Sequence, residues 1–215
     1  MAFLHNNRFE RFELETVETD DGRFYKTPGG LYESITTALG RNEEKKKSLE
    51  QWQQRVGIQE ARRISRVSAT RGTSLHKIAE DYLNNNPHYE RGKMPDAIAM
   101  FRKLKPILDK SITQVYMQEC PLFSYEYKLA GRCDLIAEVL NQIAICDFKN
   151  SLKPKKREWI HDYFLQTAAY SFMFEEMYGM RVHLNLILIS VENGEPQIFM
   201  SDPYKYKKDP FFANR

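Results

Sequence analysis

The sequence contains few cysteines, only three in 215 residues. Cys120, Cys133 and Cys146 form no Cys-x-x-Cys pair, and no histidine lies at zinc-finger spacing from them. A structural zinc site and a four-cysteine iron–sulfur cluster are therefore excluded. Each cysteine stands beside an acidic residue in a strand-like segment, which predicts small buried core side chains because neighbours in a strand face opposite sides. An odd number of unpaired thiols also fits a reducing compartment.

Long apolar runs and a strong charge of either sign are also missing. No window approaches the roughly 18 consecutive apolar residues that a membrane span requires, and residues 1–18 lack the apolar stretch of a signal or transit peptide. We therefore expect a soluble, cytoplasmic protein. The net charge of +3 permits a polyanionic partner without requiring one. The hydrophobic content of 42% is typical of a folded globular protein.

The spacing of apolar residues predicts a helical region followed by a sheet, and residues 1–30 indicate irregular or weakly stranded structure. No internal repeat or linker is evident, so we expect a single domain over residues 1–215, with a helical region at about 43–110 and a sheet with its helix at about 112–200. The predicted helices cover 43–84, with breaks near Gly57 and at Arg71-Gly72, then 96–109 and 156–178. The predicted strands are 112–119, 122–128, 131–140, 142–149 and 181–191, the last with a hairpin partner after Asn193-Gly194.

The triplet Asp147-Phe148-Lys149 ends the apolar run 142–146, which predicts a strand. Because side chains alternate along a strand, Asp147 and Lys149 share one face and Phe148 points into the opposite layer. A carboxylate and an ammonium are thus held side by side. An ordinary strand-end ion pair is the simpler alternative.

A second acid, Asp134, begins the preceding apolar segment. If the two segments form a hairpin around Asn141, Asp134 and Asp147 meet at one end of the sheet. Two carboxylates there repel each other unless a divalent cation lies between them. The sequence therefore predicts a metal site with a lysine beside it.

Other polar residues could complete this site. His76 and Glu80 are four residues apart and share one face of a helix, although a surface pair would have the same spacing. Glu119 ends the strand before that of Asp134 and is either a further acid of the cluster or an exposed strand-end residue. Gln166 and Tyr170 are one helical turn apart and could equally be ordinary amphipathic residues.

A dense basic run follows Lys149, with Pro154 preventing regular structure. Cations beside a metal–carboxylate site are what a phosphate backbone requires, and a solvated loop is the alternative. This basic run consists of Lys153, Lys155, Lys156 and Arg157.

Taken together, these residues resemble the PD-(D/E)XK nuclease superfamily, and within it the RecB-like exonuclease branch that includes mitochondrial genome maintenance exonuclease and related phage exonucleases. The match spans residues 34–191. The resemblance implies an α/β, restriction-endonuclease-like fold, with a mixed central sheet flanked by helices and a helical region before the core sheet. The matching motifs are Ser34-Ile35-Thr36-Thr37, Arg71-Gly72-Thr73-Ser74-Leu75-His76-x-x-x-Glu80, Gly131-x-x-Asp134, Asp147-Phe148-Lys149 and Gln166-x-x-x-Tyr170.

The resemblance also implies roles for these residues. It assigns Mg²⁺ or Mn²⁺ as the cofactor and Lys149 as the group that positions and activates the attacking water. The metal ligands would be His76, Asp134, Asp147 and the carbonyl of Phe148, with Glu80 and Glu119 as outer acids. Gln166 and Tyr170 would contact DNA or orient the site. The phosphate contacts would come from Ser34, Thr36, Arg71 and the basic run.

The function implied is a metal-dependent exonuclease that hydrolyses phosphodiester bonds in single-stranded or end-bearing DNA, during replication, recombination or repair. If the chain is encoded by a phage, its compartment would be the cytoplasm of a bacterial host. Two alternatives stay open: an endonuclease of the same fold, and a non-catalytic nucleic-acid-binding subunit. No protein partner is implied.

Overall fold

The computed structural model describes residues 2–215 apart from the side chain of residue 44. It has a mixed α/β architecture, one central sheet flanked by helices, which confirms the predicted fold class. The strands are β1 (Leu4–His5), β2 (Glu15–Thr19), β3 (Gly22–Thr27), β4 (Gly30–Ser34), β5 (Ile112–Ser124), β6 (Leu129–Val139), β7 (Gln142–Ser151), β8 (Leu184–Val191) and β9 (Gln197–Ser201). The helices are α1 (Ile35–Gly40), α2 (Glu43–Val56), α3 (Ile58–Leu83), α4 (Pro95–Ser111), α5 (His161–Tyr178) and α6 (Pro210–Ala213), with 3₁₀ turns at Arg157–Trp159 and Pro203–Tyr206.

The sheet divides at β6. One edge of β6 pairs with β5 in antiparallel register along most of its length. The other edge pairs with β4 at Leu129 and Ala130, and with β7 only from Leu135 onward. After Cys146, β7 leaves β6 and continues beside β8 in parallel register. We call this divergence the fork; side chains near it can turn into the gap between β6 and β7.

Two layers of helices cover the sheet. Helices α3 and α4 pack on one face, where Phe148 lies in the same apolar cluster as Leu75 and Ile78. Helices α1 and α5 pack on the other face, against residues such as Ile136 and Ile145. Phe148 therefore points away from the face that carries Asp147 and Lys149, as predicted. All three cysteines are free and fully buried, which confirms their assignment to the core.

The predicted break at Arg71-Gly72 is wrong, because α3 continues through it. A glycine inside a helix costs about 1 kcal/mol relative to alanine, but here it allows β7 to approach closely. A Cβ atom on Gly72 would lie 3.2 Å from Oδ1 of Asn150. Asn150 in turn donates a hydrogen bond from Nδ2 to the carbonyl of Ser68, at 3.1 Å. The end of β7 is thereby anchored to α3.

The predicted turn between two strands near residue 120 is also wrong, because β5 is continuous. Glu119 instead adopts a φ of 45° within the strand. Proline has no N–H to donate and is tolerated where a strand edge is unpaired. Within the described residues, β1 pairs with β5 only at Gln114 and Val115, so one edge of β5 is unpaired at Pro121.

Two further boundaries differ from expectation. The segment expected to be irregular or weakly stranded contains a three-stranded antiparallel meander, β2 to β4. Helix α5 begins at His161 and not near residue 156, because Arg157–Trp159 forms a separate 3₁₀ turn. Its predicted end at Gly179 is confirmed, and that glycine has a φ of 67°.

Candidate functional site

The fork brings the predicted residues of β6, β7 and α3 together. The backbone N–H of Phe148, which lies beyond the paired part of β6, donates to Oδ2 of Asp134 at 2.8 Å. Nε2 of His76 donates to the Phe148 carbonyl at 2.8 Å, and its Nδ1 lies 3.4 Å from Oδ1 of Asp134. Asp134, His76 and the backbone of Phe148 are therefore neighbours, as the sequence predicted.

Glu119 joins this group from β5. The residues on either side of it, Gln118 and Cys120, pair with Leu135 and Cys133, so Glu119 stands across from Asp134. One ligand atom from each of His76, Glu119 and Asp134 lies within 4.8 Å of the others. Across residues 2–215, these three form the one cluster of acids, histidines or cysteines close enough to share a metal ion.

Asp147 is not a member of that cluster. Its side chain is 1% exposed and forms an ion pair with Lys149. Apart from this contact with the Lys149 ammonium, neither carboxylate oxygen has a hydrogen-bond partner among the side chains that the structure describes. Burial raises the pKa of Asp147 to about 6, although the Lys149 ammonium opposes this shift. A buried carboxylate with unfilled acceptor positions is the environment that a nearby cation would stabilise.

The charges of the cluster are strongly coupled. Burial lowers the pKa of His76, but the Asp134 carboxylate outweighs burial and raises it to about 9. Burial and then the charge of Asp134 raise the pKa of Glu119 to about 7. A histidine that binds a metal must be neutral, so cation binding here would expel a proton from His76.

The donor set fits a hard divalent cation. It offers carboxylate oxygens from Asp134 and Glu119 and one imidazole nitrogen from His76, with the carbonyl oxygen of Phe148 beside His76. The Asp147 carboxylate lies outside this set but close enough for its charge to raise the pKa of His76. Oxygen-rich sets suit Mg²⁺ and Mn²⁺, and the imidazole shifts the preference toward Mn²⁺.

Helix α5 forms one wall of the site. A Cβ atom on Gly131 would lie 2.8 Å from Cε1 of Tyr170, so this position requires glycine if Tyr170 is to lie against β6. Nε2 of Gln166 lies 3.4 Å from the Tyr170 hydroxyl, and both side chains are buried. The packing of Tyr170 against β6 therefore accounts for the glycine at position 131, and both residues belong to the predicted motifs.

Open space lies on both sides of the candidate metal centre. A cleft of about 610 Å³ extends from β2, β4 and α1 to α5 and includes Ser34, Thr36, Lys149, Gln166 and Tyr170 in its lining. A second cavity of about 660 Å³ lies beside α3. The two share Arg23, His76, Glu119 and Arg132 as lining residues.

The remaining predicted residues occupy varied positions. Ser34 caps α1, since its Oγ accepts from the Thr37 N–H at 3.1 Å, whereas Thr36 is exposed in the cleft. Glu80 lines the second cavity and forms an ion pair with Lys77 at 2.8 Å. Arg71 is buried and ion-paired with Glu192.

The basic run lies outside the linings of both the cleft and the second cavity. Its lysines and arginine are exposed except Lys155, which is half-buried. Gln197 and Met200 of β9 anchor the run through hydrogen bonds to the Lys155 backbone and the Arg157 guanidinium. Phosphate contact by the basic run stays a prediction.

Tyr163 and Arg132 are among the lining residues that sequence reasoning missed. Tyr163 places its ring 5.2 Å from Nζ of Lys149, and its spacing of three and seven residues from Gln166 and Tyr170 could have indicated the shared helix face. Arg132 lies two residues before Asp134 in β6 and lines both cavities. No local pattern distinguishes it from other surface arginines.

Comparison with models of protein families found no match. Among curated proteins, the chain is 27% identical over 157 residues to "Mitochondrial genome maintenance exonuclease 1" of Xenopus tropicalis, covering 69% of this chain and 44% of that protein. The chain therefore spans less than half the length of this relative. Among solved structures, one described as a "Putative exonuclease" from Eubacterium rectale aligns with a TM-score of 0.44 and 11% identity, over 67% of this chain and 61% of that one.

Across residues 2–215, no helix has the length and apolar character needed to cross a membrane. The sequence identity shows a distant similarity to an exonuclease, which agrees with the nuclease motifs.

Proposed function

We propose that this protein is a metal-dependent deoxyribonuclease that hydrolyses phosphodiester bonds at the fork and takes single-stranded DNA from a free end. The observation that carries the proposal is the convergence of His76, Glu119 and Asp134 beside the buried Asp147–Lys149 pair, within an open cleft. Distant similarity to an exonuclease supports a nuclease in general. The proposal further includes DNA as the substrate, Mg²⁺ or Mn²⁺ as the metal, membership of the RecB-like branch and a single domain over residues 1–215.

In this proposal, His76, Glu119, Asp134, Asp147 and the Phe148 carbonyl would hold Mg²⁺ or Mn²⁺. When bound, the cation would offset charge on the phosphate and lower the pKa of water. Asp134 also fixes the part of β7 that continues beyond β6, because it accepts the Phe148 N–H. Asp134 is therefore both a candidate metal ligand and the hydrogen-bond acceptor that positions the strand carrying Lys149.

Lys149 acts as a positive charge and hydrogen-bond donor in this proposal. Burial lowers its pKa, but Asp147 and Asp134 outweigh burial and raise it above the ordinary lysine value. A lysine that stays protonated orients the attacking water and neutralises phosphate charge, and it does not accept a proton. Asp147 and the ring of Tyr163 hold the ammonium in place.

A bridge across the cleft supports entry from a free end. Lys45 of α2 and Asp162 of α5 form an ion pair at 2.7 Å, and both line the cleft. This ion pair links the first turn of α2 to the first turn of α5 at the cleft. In the proposal, a single strand passes this bridge more easily than a duplex does. The ring of Tyr163 lines the cleft and is partly exposed, so it offers a surface on which a base can stack.

End-labelled single-stranded and double-stranded DNA, incubated with Mg²⁺, Mn²⁺ or EDTA, tests the proposal. We expect the single strand to be shortened only when a divalent cation is present. Binding of DNA without cleavage under any cation condition would contradict the proposal and favour the non-catalytic binding subunit.

A further inference from the structure

Two arginines converge on one backbone carbonyl beside the candidate metal centre. Nη1 of Arg132 donates to the carbonyl oxygen of Glu119 at 3.1 Å, and Nη2 of Arg11 donates to the same oxygen at 2.9 Å. Nη1 of Arg11 also donates to the Gln118 carbonyl at 2.7 Å. Because they share one acceptor, the two guanidinium groups lie close together, and their positive charges repel.

The backbone at Glu119 makes this convergence possible. Its φ of 45° is rare for a residue other than glycine. The pairing of β5 with β6 passes from Gln118 to Cys120 without including Glu119. The Glu119 carbonyl is therefore available to the two arginines while its carboxylate joins the candidate metal centre.

The positive charge here is only partly neutralised. Arg11 forms an ion pair with Glu13 at 2.9 Å, whereas Arg132 forms none with the side chains that the structure describes. Both arginines line the second cavity with Arg23 and Lys77. The acids in its lining are Glu80, which is paired with Lys77, and Glu119, which belongs to the candidate metal centre.

We propose that Arg11 and Arg132 bind one phosphate group of the substrate strand, on the α3 side of the candidate metal centre. Guanidinium groups suit this ligand because their planar N–H donors match phosphate oxygens, and an anion relieves the repulsion between them. The shared lining of the cleft and the second cavity connects this phosphate to the cleft. This inference rests on the proposed nuclease function and adds a binding position to it.

The test compares Arg11→Gln, Arg132→Gln and Arg132→Lys with Arg102→Gln. Arg102 is an exposed arginine on α4 that is paired with Glu90 at 2.6 Å and serves as the matched control. The affinity for a short single-stranded oligonucleotide is measured over a range of salt concentrations in Ca²⁺, so that binding is read without dependence on turnover. Circular dichroism and thermal unfolding establish that each variant is folded.

We expect each glutamine variant at Arg11 or Arg132 to lose affinity evenly across sequences and to reduce the slope of log affinity against log salt. The Arg11→Gln/Arg132→Gln double variant should reduce this slope by about 0.7 in total, the contribution of one phosphate. Arg132→Lys should keep the slope, and Arg102→Gln should behave as wild type. A second readout omits DNA: inorganic phosphate should raise the melting temperature of the wild type above that in chloride of equal ionic strength, and the Arg11→Gln/Arg132→Gln double variant should lose this shift.

Unchanged affinity and slope in both glutamine variants would overturn the phosphate site, even if the wild type cleaves DNA. If the slopes change as expected while the wild type cleaves no DNA, the phosphate site stands and the proposed nuclease function fails. A phosphate-dependent melting shift that the double variant retains would also count against the site.

Discussion

The protonation of His76 gives the most detailed prediction. In the metal-free protein, the protonated ring lies between Asp134 and the Phe148 carbonyl, where it stabilises the fold. Replacing it by His76→Gln keeps a side-chain amide able to donate to Phe148 but removes the titratable charge. The wild type should therefore show a dependence of stability on pH that the variant lacks.

The size and sign follow from the pKa shift. The pKa of histidine is about 6.5 in an unfolded chain, and that of His76 is raised to about 9 in the folded protein. The proton therefore stabilises the fold fully below pH 6.5, and this stabilisation is lost as the pH rises through 9. The shift corresponds to about 3 kcal/mol, which we discount to roughly 1–2 kcal/mol because the ring is 29% exposed.

Other groups change stability in the same direction but at lower pH. The pKa values of Asp147 and Glu119 are raised to about 6 and about 7, so their neutral forms favour the folded state and this contribution is lost as the pH rises toward 7. Burial also raises the pKa of Cys120, Cys133 and Cys146, so the fold loses stability above about pH 8.5, where these thiols ionise in the unfolded chain. Glu119 and the thiols are present in both proteins, so the difference between the wild type and His76→Gln over about pH 7 to 9.5 reports on His76. Adding Mg²⁺ or Mn²⁺ should reverse the trend, because cation binding displaces the proton and strengthens with pH.

Urea unfolding in EDTA at several pH values measures this effect. The wild type should lose roughly 1–2 kcal/mol more than His76→Gln between about pH 7 and 9.5. The control His161→Gln, at a more exposed histidine paired with Asp209, should follow the wild type. Parallel profiles for the wild type and His76→Gln would refute the assignment of the proton to this ring.

Three further predictions concern packing, charge and substrate entry. Gly131→Ala should destabilise the fold by about 1–3 kcal/mol in urea unfolding, because its Cβ would clash with Tyr170. The control Gly40→Ala has open space around its Cβ and should be neutral or slightly stabilising. Equal stabilities of the two variants would contradict the packing account. Replacing the basic run by glutamine should weaken DNA binding evenly across sequences and lower the salt slope, and an unchanged slope would identify it as a solvated loop. Linear single strands should be degraded faster than circles of the same sequence, and comparable initial rates would favour an endonuclease.

Local patterns predicted the hairpin at the centre of the site. The alternation of apolar residues set β6 and β7, and Asn141 provided the turn, where Leu140 and Asn141 have φ values of 52° and 60°. The burial of the cysteines followed from the same alternation. Helix α4 follows the predicted span 96–109 closely, as Pro95–Ser111. These features depend on neighbours in sequence, which is why the sequence alone predicts them.

The features that escaped prediction depend on distant neighbours. Gly72 stays helical because Asn150 packs beside it, and no local signal contains that contact. Arg11 reaches the Glu119 carbonyl across 108 positions of the chain. The sequence offered Glu119 either as a further acid of the cluster or as an exposed strand-end residue, and it did not predict the φ of 45° that this residue adopts in β5, because that conformation is rare for its residue type.

The most direct test of the central claim is the single-turnover rate of cleavage of an end-labelled single strand in Mn²⁺ by Asp134→Asn, Asp147→Asn and Lys149→Ala. The control is Asp20→Asn, at an exposed acid in the turn between β2 and β3. The account predicts that each site variant loses at least about a hundredfold in rate while staying folded, and that the control cleaves as wild type. A rate near that of the wild type in Asp134→Asn or Lys149→Ala would contradict it.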